Sequence, residues 1–550
     1  MLPMQVLSAA EMQACDLATT ERFGIPSIEL MRAASAAVAR FAQHQYPKAR
    51  RVTVLCGRGN NGGDGLMAAR LLAGARIDVT TLLLGSPGEL QGDAATAWNE
   101  LKSESRVHVR VIRAPADLTR VSDALKTDLI IDAVVGTGFK PPLKGLALAA
   151  LDWLKGSASP VLSVDLPSGW PADSTSGSIE SPVFPSDAVV TFTAPKPAHV
   201  CGDLTRRWNQ PIIVAPIGSP EEAIESSKQL TWAGASHALV EQPRAVDSNK
   251  GRFGHVLVIG GSVGKSGAPA MAAMTALRAG AGLVTAAVPS SVQPQVASIA
   301  PELMTWPLLS SATGEIAAKG ISAQLFAKLV AGKSVIAVGP GLGQGPGTGK
   351  LIATILEETD LPTVLDADAL NVLAAKPALF GRVAKAGKAG RTIVLTPHPG
   401  EMARLAGRGV KEIQSNRLET ARGFAQTHGL TLVLKGAHTL IAHPDGMVSV
   451  NTTGNPGMAK GGSGDTLTGL VGGMLAQFPA DPRRAVEVAV YLHGLAADLA
   501  AREFDEHTLL ATDSLRFFSR AFRFRSRGPS GYVWLQGLPE SGPSSREATE

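Results

Sequence analysis

Val52-Thr-Val-Leu-Cys56 runs directly into Gly57-Arg-Gly59-Asn60-Asn61-Gly62-Gly63-Asp64-Gly65, and a helical pattern follows. A β-branched strand, a glycine-rich turn and a helix make the opening unit of a parallel sheet. The chain then keeps alternating. Strands are predicted at Val52–Cys56, Val79–Leu84, Val107–Ile112, Asp128–Val134, Val161–Asp165 and Ala188–Thr193, with helical stretches between most of them. The pattern fades near Ile213. A second series starts at His255–Ile259 and continues through Leu283–Val288, Ser334–Val338, Thr363–Leu365, Thr392–Leu395 and Leu430–Leu434. A hairpin turning at Asp445-Gly446 and two long helical patterns, Asp465–Gln477 and Arg483–Arg502, close it. The reading is α/β: a doubly wound parallel sheet over residues 1–218, a polar linker at 219–245, a second α/β half over 246–518 and a disordered tail at 519–550. The halves do not look like duplicates, and there is no short solenoid repeat.

At 550 residues, with 45% hydrophobic and 18% charged residues, the composition is that of a globular chain, and its 59 glycines and 36 prolines suit many short turns. The three cysteines (Cys15, Cys56, Cys201) are odd in number and form no CxxC pair. That argues against a disulfide framework or zinc ribbon and for a reducing, cytoplasmic setting. The first residues lack the basic-then-apolar pattern of a signal peptide, and Ser8-x-x-Glu11 reads as a capping box. No stretch reaches the roughly 18 apolar residues of a membrane span. Near the C-terminus Arg516, Arg520, Arg523, Arg525 and Arg527 interleave with Phe517, Phe518, Phe522 and Phe524. A single-strand nucleic-acid surface has that composition. More often it marks a last amphipathic element, and the Ser/Gly/Pro-rich run after Ser526 favours that reading, so neither a nucleic-acid nor a membrane partner is expected.

The loop after the first strand formally contains GxGxxG at Gly57, Gly59 and Gly62. A dinucleotide site also wants an acid at the end of the second strand, and here that end reads Leu82-Leu83-Leu84-Gly85. An ordinary dehydrogenase domain is disfavoured. Two asparagines and an aspartate add directional groups that a plain phosphate loop does not need. Asp132, Gly136-Thr137-Gly138 and Asp165-Leu-Pro167-Ser168-Gly169 follow at later strand ends, where crevices form in open α/β sheets. In the second half, GxxxxGK[ST] would require glycine at Ile259, so a P-loop is rejected. Gly461-Gly462-Ser463-Gly464-Asp465 opens a helix. Its N–H groups and dipole make a pocket for negative charge, with an acid at the helix start either as a proton acceptor or as a plain N-cap.

Three motifs in order, NNGGDG (Asn60–Gly65), DAVVGTG (Asp132–Gly138) and DLPSG (Asp165–Gly169), resemble the N-terminal epimerase domain of the bifunctional NAD(P)H-hydrate repair enzymes. That resemblance implies a Rossmann-like half in which Asn60, Asn61, Gly62, Gly63 and Asp64 contact the hydrated cofactor. Gly136, Thr137, Gly138, Phe139, Lys140, Pro141, Pro142 and Asp165 would contact it too. It further implies that Asn61, Asp132 and Ser168 hold potassium, a hard cation suited to oxygen ligands. Asp165 and Lys140 are the candidates for moving the proton, and the residues leave open which does so.

KGRFGHVLVIGGS (Lys250–Ser262), GPGLG (Gly339–Gly343), LDADALN (Leu365–Asn371), TPHPGE (Thr396–Glu401), KGAHT (Lys435–Thr439) and NPGMAKGGSGD (Asn455–Asp465) are similar to the ribokinase-like dehydratase half of the same family. The similarity implies that Ala268, Gly343, His398 and Asp465 touch the hydrate. Lys435, Gly436, Ala437, His438, Thr439 and Gly464 would hold an adenine nucleotide. The implied chemistry is repair of hydrated NADH and NADPH. The first half equilibrates the R and S hydrates. The second phosphorylates the S hydroxyl from ADP or ATP with magnesium, Asp465 taking the proton, and phosphate then leaves. ADP is the donor expected from the fused arrangement. Small molecules are the only partners implied, in a homo-oligomer. Two rivals remain on sequence alone: a ribokinase-like kinase of a vitamin precursor, against which TPHPGE and KGAHT speak, and an N-terminal half that binds without catalysis, against which NNGGDG, Asp132 and Asp165 speak.

Overall fold

The computed structural model describes residues 4–528 and 530–539. The described residues divide into two compact units, one holding Met4–Lys228 together with the chain from Arg525, the other Gln229–Phe524. Among the described residues all three cysteines are buried and none forms a disulfide, and no helix is long and apolar enough to cross a membrane.

The N-terminal unit starts with the helix Ala9–Glu21, opened by the expected capping box: the Ser8 amide donates to Glu11 at 2.8 Å and the Glu11 amide to Ser8 Oγ at 3.3 Å. Seven strands follow: β1 (Arg51–Cys56), β2 (Asp78–Leu84), β3 (Val107–Ile112), β4 (Leu129–Ala133), β5 (Val161–Val164), β6 (Ala188–Phe192) and β7 (Ile212–Ala215). They pair in parallel in the order β7-β6-β5-β4-β1-β2-β3. The inner strands β4, β5 and β6 are buried along their whole length, as near-continuous apolar runs must be when helices cover both faces. Strand order reverses between β1 and β4, which opens a crevice between their C-terminal loops.

The C-terminal unit adds β8 (Leu230–Trp232), β9 (His255–Ile259), β10 (Leu283–Pro289), β11 (Met304–Leu308), β12 (Val335–Val338), β13 (Thr363–Leu365), β14 (Ile393–Leu395), β15 (Thr431–Leu434), β16 (Thr439–Ala442) and β17 (Val448–Asn451). The order is β11-β10-β9-β12-β13-β14-β15-β16-β17-β8, parallel from β11 to β15, with the expected antiparallel hairpin β16-β17 beyond. Here the order reverses between β9 and β12. The two helices Ser463–Gln477 and Pro482–Ala500, buried along Thr466–Ala476 and Ala485–Ala500, stand where the helical patterns predicted them. Both units are the α/β sheets expected.

Three expectations are corrected. The stretch read as a linker contains β8, which pairs in parallel with β17 and buries Trp232. Three residues inside a polar run were too short a signal. Ile212–Ala215, where the pattern seemed to fade, is a full strand of the first sheet. The tail expected to be disordered from 519 holds the end of a short helix, Phe518–Arg523, and a strand, β18 (Val533–Gln536), which joins β7 antiparallel. Tyr532, Val533, Trp534 and Leu535 are buried there, with Tyr532 and Trp534 packed about 6 Å from the Phe41 ring. Burial of two aromatics repays the ordering of a few residues. Residues 540–550 of the expected tail lie outside the described residues.

Two candidate active sites at the strand ends

In the N-terminal unit most of the loop glycines are packing devices. A Cβ on Gly57 would sit 1.9 Å from the Val134 carbonyl oxygen, one on Gly62 2.0 Å from that of Gly57, and one on Gly65 2.6 Å from Ala133. They let the β1 loop and its helix, Asn60–Gly74, press against the end of β4. Of the predicted contacts Asn60 is exposed, whereas Asn61 and Asp64 are half-buried. Gly136 lies against both Asn61 and Asp165, at 3.0 and 3.1 Å from a Cβ placed there, so the structure brings these three together.

Asp165 follows β5 in a left-handed conformation, φ +65°, rare for a residue with a side chain and a mark of a constrained position. Its carboxylate is fully engaged. Oδ2 accepts from the Thr137 amide at 2.9 Å and from the Thr137 hydroxyl; Oδ1 accepts from Thr191 at 2.9 Å and from Lys196 Nζ at 3.0 Å. His199 Nε2 lies 2.7 Å from the Asp165 carbonyl oxygen. Burial alone would raise the Asp165 carboxyl, but the Lys196 ammonium beside it holds it well below the usual carboxylate range. Asp64 is pushed the other way, well above that range, by burial and then by Asp165, Asp16 and Asp93. Burial also lifts Asp16, to about 6. Two neighbouring carboxyls are thus shifted in opposite directions, the arrangement by which a site can separate acid and base roles.

Lys140 is exposed and makes no hydrogen bond or ion pair among the described residues, so the structure does not bring this candidate to Asp165. The lysine in the cluster is Lys196, with His199 one turn on. Sequence reading missed both. The available signal was their place just past a buried strand, the same rule that singled out Asp132 and Asp165. Asp132 and Ser168 do meet: Ser168 donates from Oγ to Asp132 Oδ1 at 2.6 Å and from its amide to Oδ2 at 2.8 Å. Burial lifts the Asp132 carboxyl to about 6.

In the C-terminal unit Gly339, Gly341 and Gly343 all have positive φ, and a Cβ on Gly339 would fall 1.8 Å from the Asp366 carbonyl oxygen. A Cβ placed on Gly341 would fall 3.1 Å from the methyl of Ala268, and Gly343 donates its amide to Asp368 at 2.9 Å, so two of the predicted hydrate contacts border one crevice. Its floor is Asp366, 1% exposed at the end of β13. The carboxylate accepts from Thr396 at 2.7 Å, Thr468 at 2.8 Å and Lys435 Nζ at 3.1 Å. Lys435 also faces Glu401 at 3.8 Å; burial opposes its charge, yet these carboxylates keep its pKa raised. Gly464 stands 3.4 Å (from a placed Cβ) from Lys435 Nζ, which joins the two nucleotide motifs. Gly436 and Ala437 are exposed, His438 and Thr439 half-buried, in a turn that Arg417 braces through the carbonyls of Leu434, Lys435 and Ala437.

Asp465 does not cap its helix. The N-cap is Gly462, at φ +97°, and Asp465 lies in the first turn of Ser463–Gln477. Burial, then Asp366, lifts its carboxyl to about 6, which suits a proton acceptor near neutral pH. His398 does act as a cap: its Nδ1 accepts from the Gly400 amide at 3.0 Å, and the His398 amide donates to Glu401 at 2.8 Å. Only Nε2 is left, and it faces Glu401 at 3.5 Å. Asp366, Thr396, Thr468 and Arg417 carried no role in the sequence reading, although Asp366 and Thr396 lay inside quoted motifs.

Each half thus carries a cluster of carboxylates and a lysine at strand ends beside its strand-order reversal, and in the second it adjoins a glycine-rich helix start suited to phosphate. Fold and sites define a two-domain α/β enzyme. The family model described as NAD(P)H-hydrate dehydratase matches residues 256–518, and that described as YjeF-related protein N-terminus matches 27–198. The bifunctional NAD(P)H-hydrate repair enzyme of Moorella thermoacetica is 38% identical over 94% of this chain and 97% of its own, and that of Escherichia coli K12 is 35% identical over 93% of each. The solved ADP/ATP-dependent NAD(P)H-hydrate dehydratase of Bacillus subtilis is 35% identical, covering 53% of this chain and 96% of that one, with a TM-score of 0.44. The chain belongs to the bifunctional NAD(P)H-hydrate repair enzymes.

Proposed function

We propose that the N-terminal unit equilibrates the R and S hydrates of NADH and NADPH and that the C-terminal unit dehydrates the S form using ADP or ATP. What supports this most is the cluster in which Asp465, with its raised pKa, stands at a glycine-rich helix start next to Lys435 and Asp366. Asp465 takes the hydroxyl proton of the hydrate. The Gly462–Gly464 amides and Lys435 face the phosphoryl group, whose transfer turns a poor leaving group into a good one. Among the described residues no group of three His, Cys, Asp or Glu side chains is gathered for a metal; magnesium would be held by one or two carboxylates together with the nucleotide phosphates.

In the first unit Asp165 works with Asp64 on the ring proton, and Lys196 positions Asp165 while Lys140 stays a rim residue. Potassium fits Asn61, Asp132 and Ser168: they offer amide, carboxylate and hydroxyl oxygens, and Asn61 Nδ2 is buried without a partner, so the amide is free to turn its oxygen to a cation. It would screen the buried Asp132. The test is Asp132→Ala followed by thermal melting. Potassium, unlike lithium, should raise the melting temperature of the intact chain's N-terminal transition and leave the variant unmoved. An equal response in both would remove the site.

A further inference from the structure

The C-terminal unit has a second cavity, of about 1190 Å³, lined by Arg244, Arg252, Arg278, Arg516 and Arg523 with no aspartate or glutamate. It lies at the far ends of the helices Gly267–Arg278 and Ser463–Gln477, whose near ends carry Ala268 and Asp465. At 1.5 Å per residue those helices set it roughly 18–22 Å from the dehydratase crevice. The other wall is apolar, built from Leu239, Phe253, Met274, Leu515 and Phe518. Arg244 is fixed in place. Its guanidinium stacks 3.7 Å from the Phe253 ring centroid and donates to the Gly280 carbonyl and to Gln477, each at 2.6 Å. Arg252, Arg278 and Arg516 are exposed and make no ion pair or hydrogen bond with the protein among the described residues. Arg516, Arg523 and Phe518 belong to the arginine–phenylalanine stretch that the two active sites leave unexplained.

Ligand cavities usually measure roughly 300–1,000 Å³ and combine an apolar wall with a few polar anchors. Arginine is the side chain best shaped to grip phosphate or carboxylate oxygens in pairs. We propose that this cavity is a binding site for a small amphipathic anion, a phosphate-bearing molecule with an apolar body, distinct from both active sites. Charge complementarity commits it to an anion, and the aliphatic and aromatic wall to one carrying a hydrocarbon or ring portion.

The test is isothermal titration of the intact protein with decyl phosphate below micelle formation, beside inorganic phosphate and neutral decyl glucoside. Decyl phosphate should bind saturably at one site and stay bound in excess ADP, with either half-molecule at least about tenfold weaker. Arg278→Ala/Arg516→Ala should weaken decyl phosphate by about tenfold or more and leave the dehydration rate unchanged, since each charge-assisted contact is worth about that factor. Arg520→Ala, outside the cavity and paired with Glu503, should bind normally. Displacement by ADP, wild-type binding by the double variant, absence of binding, or inorganic phosphate or decyl glucoside binding as tightly as decyl phosphate would each overturn the proposal.

Discussion

In the N-terminal unit the aspartate just past β5 meets a lysine at 3.0 Å, and in the C-terminal unit the aspartate just past β13 meets one at 3.1 Å. Two threonine hydroxyl groups complete each pair, Thr137 and Thr191 in one, Thr396 and Thr468 in the other. A further carboxylate with a raised pKa stands nearby, Asp64 or Asp465. The walls differ. The Lys196 side chain is 2% exposed, that of Lys435 20% and beside an open turn. Under the proposed function, the sealed pair would fix one carboxylate for proton transfer within a single substrate. The open pair would leave its lysine available to a second substrate, as a phosphoryl donor requires. One strand-end device would then serve two chemistries according to what its lysine can reach.

The largest effect should come from removing the strand that closes the first sheet. Truncation after Arg525 takes away Tyr532, Val533, Trp534 and Leu535, at about 1.5–3 kcal/mol for each large buried side chain. Differential scanning calorimetry should show the N-terminal transition collapse while dehydration persists. Two intact transitions would mean that β18 adds nothing and that the units do not differ in this way.

Next in size is a matched pair of lysine variants. Lys196→Met leaves a buried carboxylate uncompensated and should cost about 3–5 kcal/mol in denaturant unfolding, with epimerisation lost in step. Lys435→Met should cost less stability, because its side chain is 20% exposed against 2% for Lys196 and water can reach the carboxylate it leaves behind, and should instead weaken nucleotide binding. Equal losses from both would erase the contrast between sealed and open.

The pH dependence sharpens it further. Asp465 must be ionised to accept a proton, and its pKa is lifted to about 6. Dehydration should therefore fall about tenfold per unit as the pH drops below 6 and level off above. Asp165 is held below the ordinary carboxylate range, so it stays ionised over that same window and gives epimerisation no acid limb there. Rate profiles for each reaction from pH 5 to 8 would show it, and coincident limbs would count against the assignment.

Much of this was legible in the sequence because parallel strands buried on both faces leave unbroken apolar runs. His255–Ile259 and Thr363–Leu365 fall where predicted. β8 and β18 did not stand out: each is a three- or four-residue edge strand in polar surroundings, and its partner lies hundreds of residues away. The motifs located both crevices but not the atoms that tune them. Lys196 reaches Asp165 across the ends of β5 and β6, 31 residues away, a separation no local spacing encodes. His398 looked like a ligand because of its motif, yet the structure first spends its Nδ1 on a helix cap.

The claim that two independent sites share one chain is tested most directly by the fate of an R and S hydrate mixture in Asp165→Asn and Asp465→Asn. With ADP or ATP present, Asp165→Asn should consume the S hydrate and leave the R hydrate behind. Asp465→Asn should form NADPH roughly 10²–10⁴-fold more slowly, the usual worth of a positioned acid or base, while R and S still interconvert. Asp465 is not the cap of its helix, so the amide should leave the fold and the melting temperature in place. If either well-folded variant loses both reactions together, or Asp465→Asn turns over at the wild-type rate, the two-site account fails.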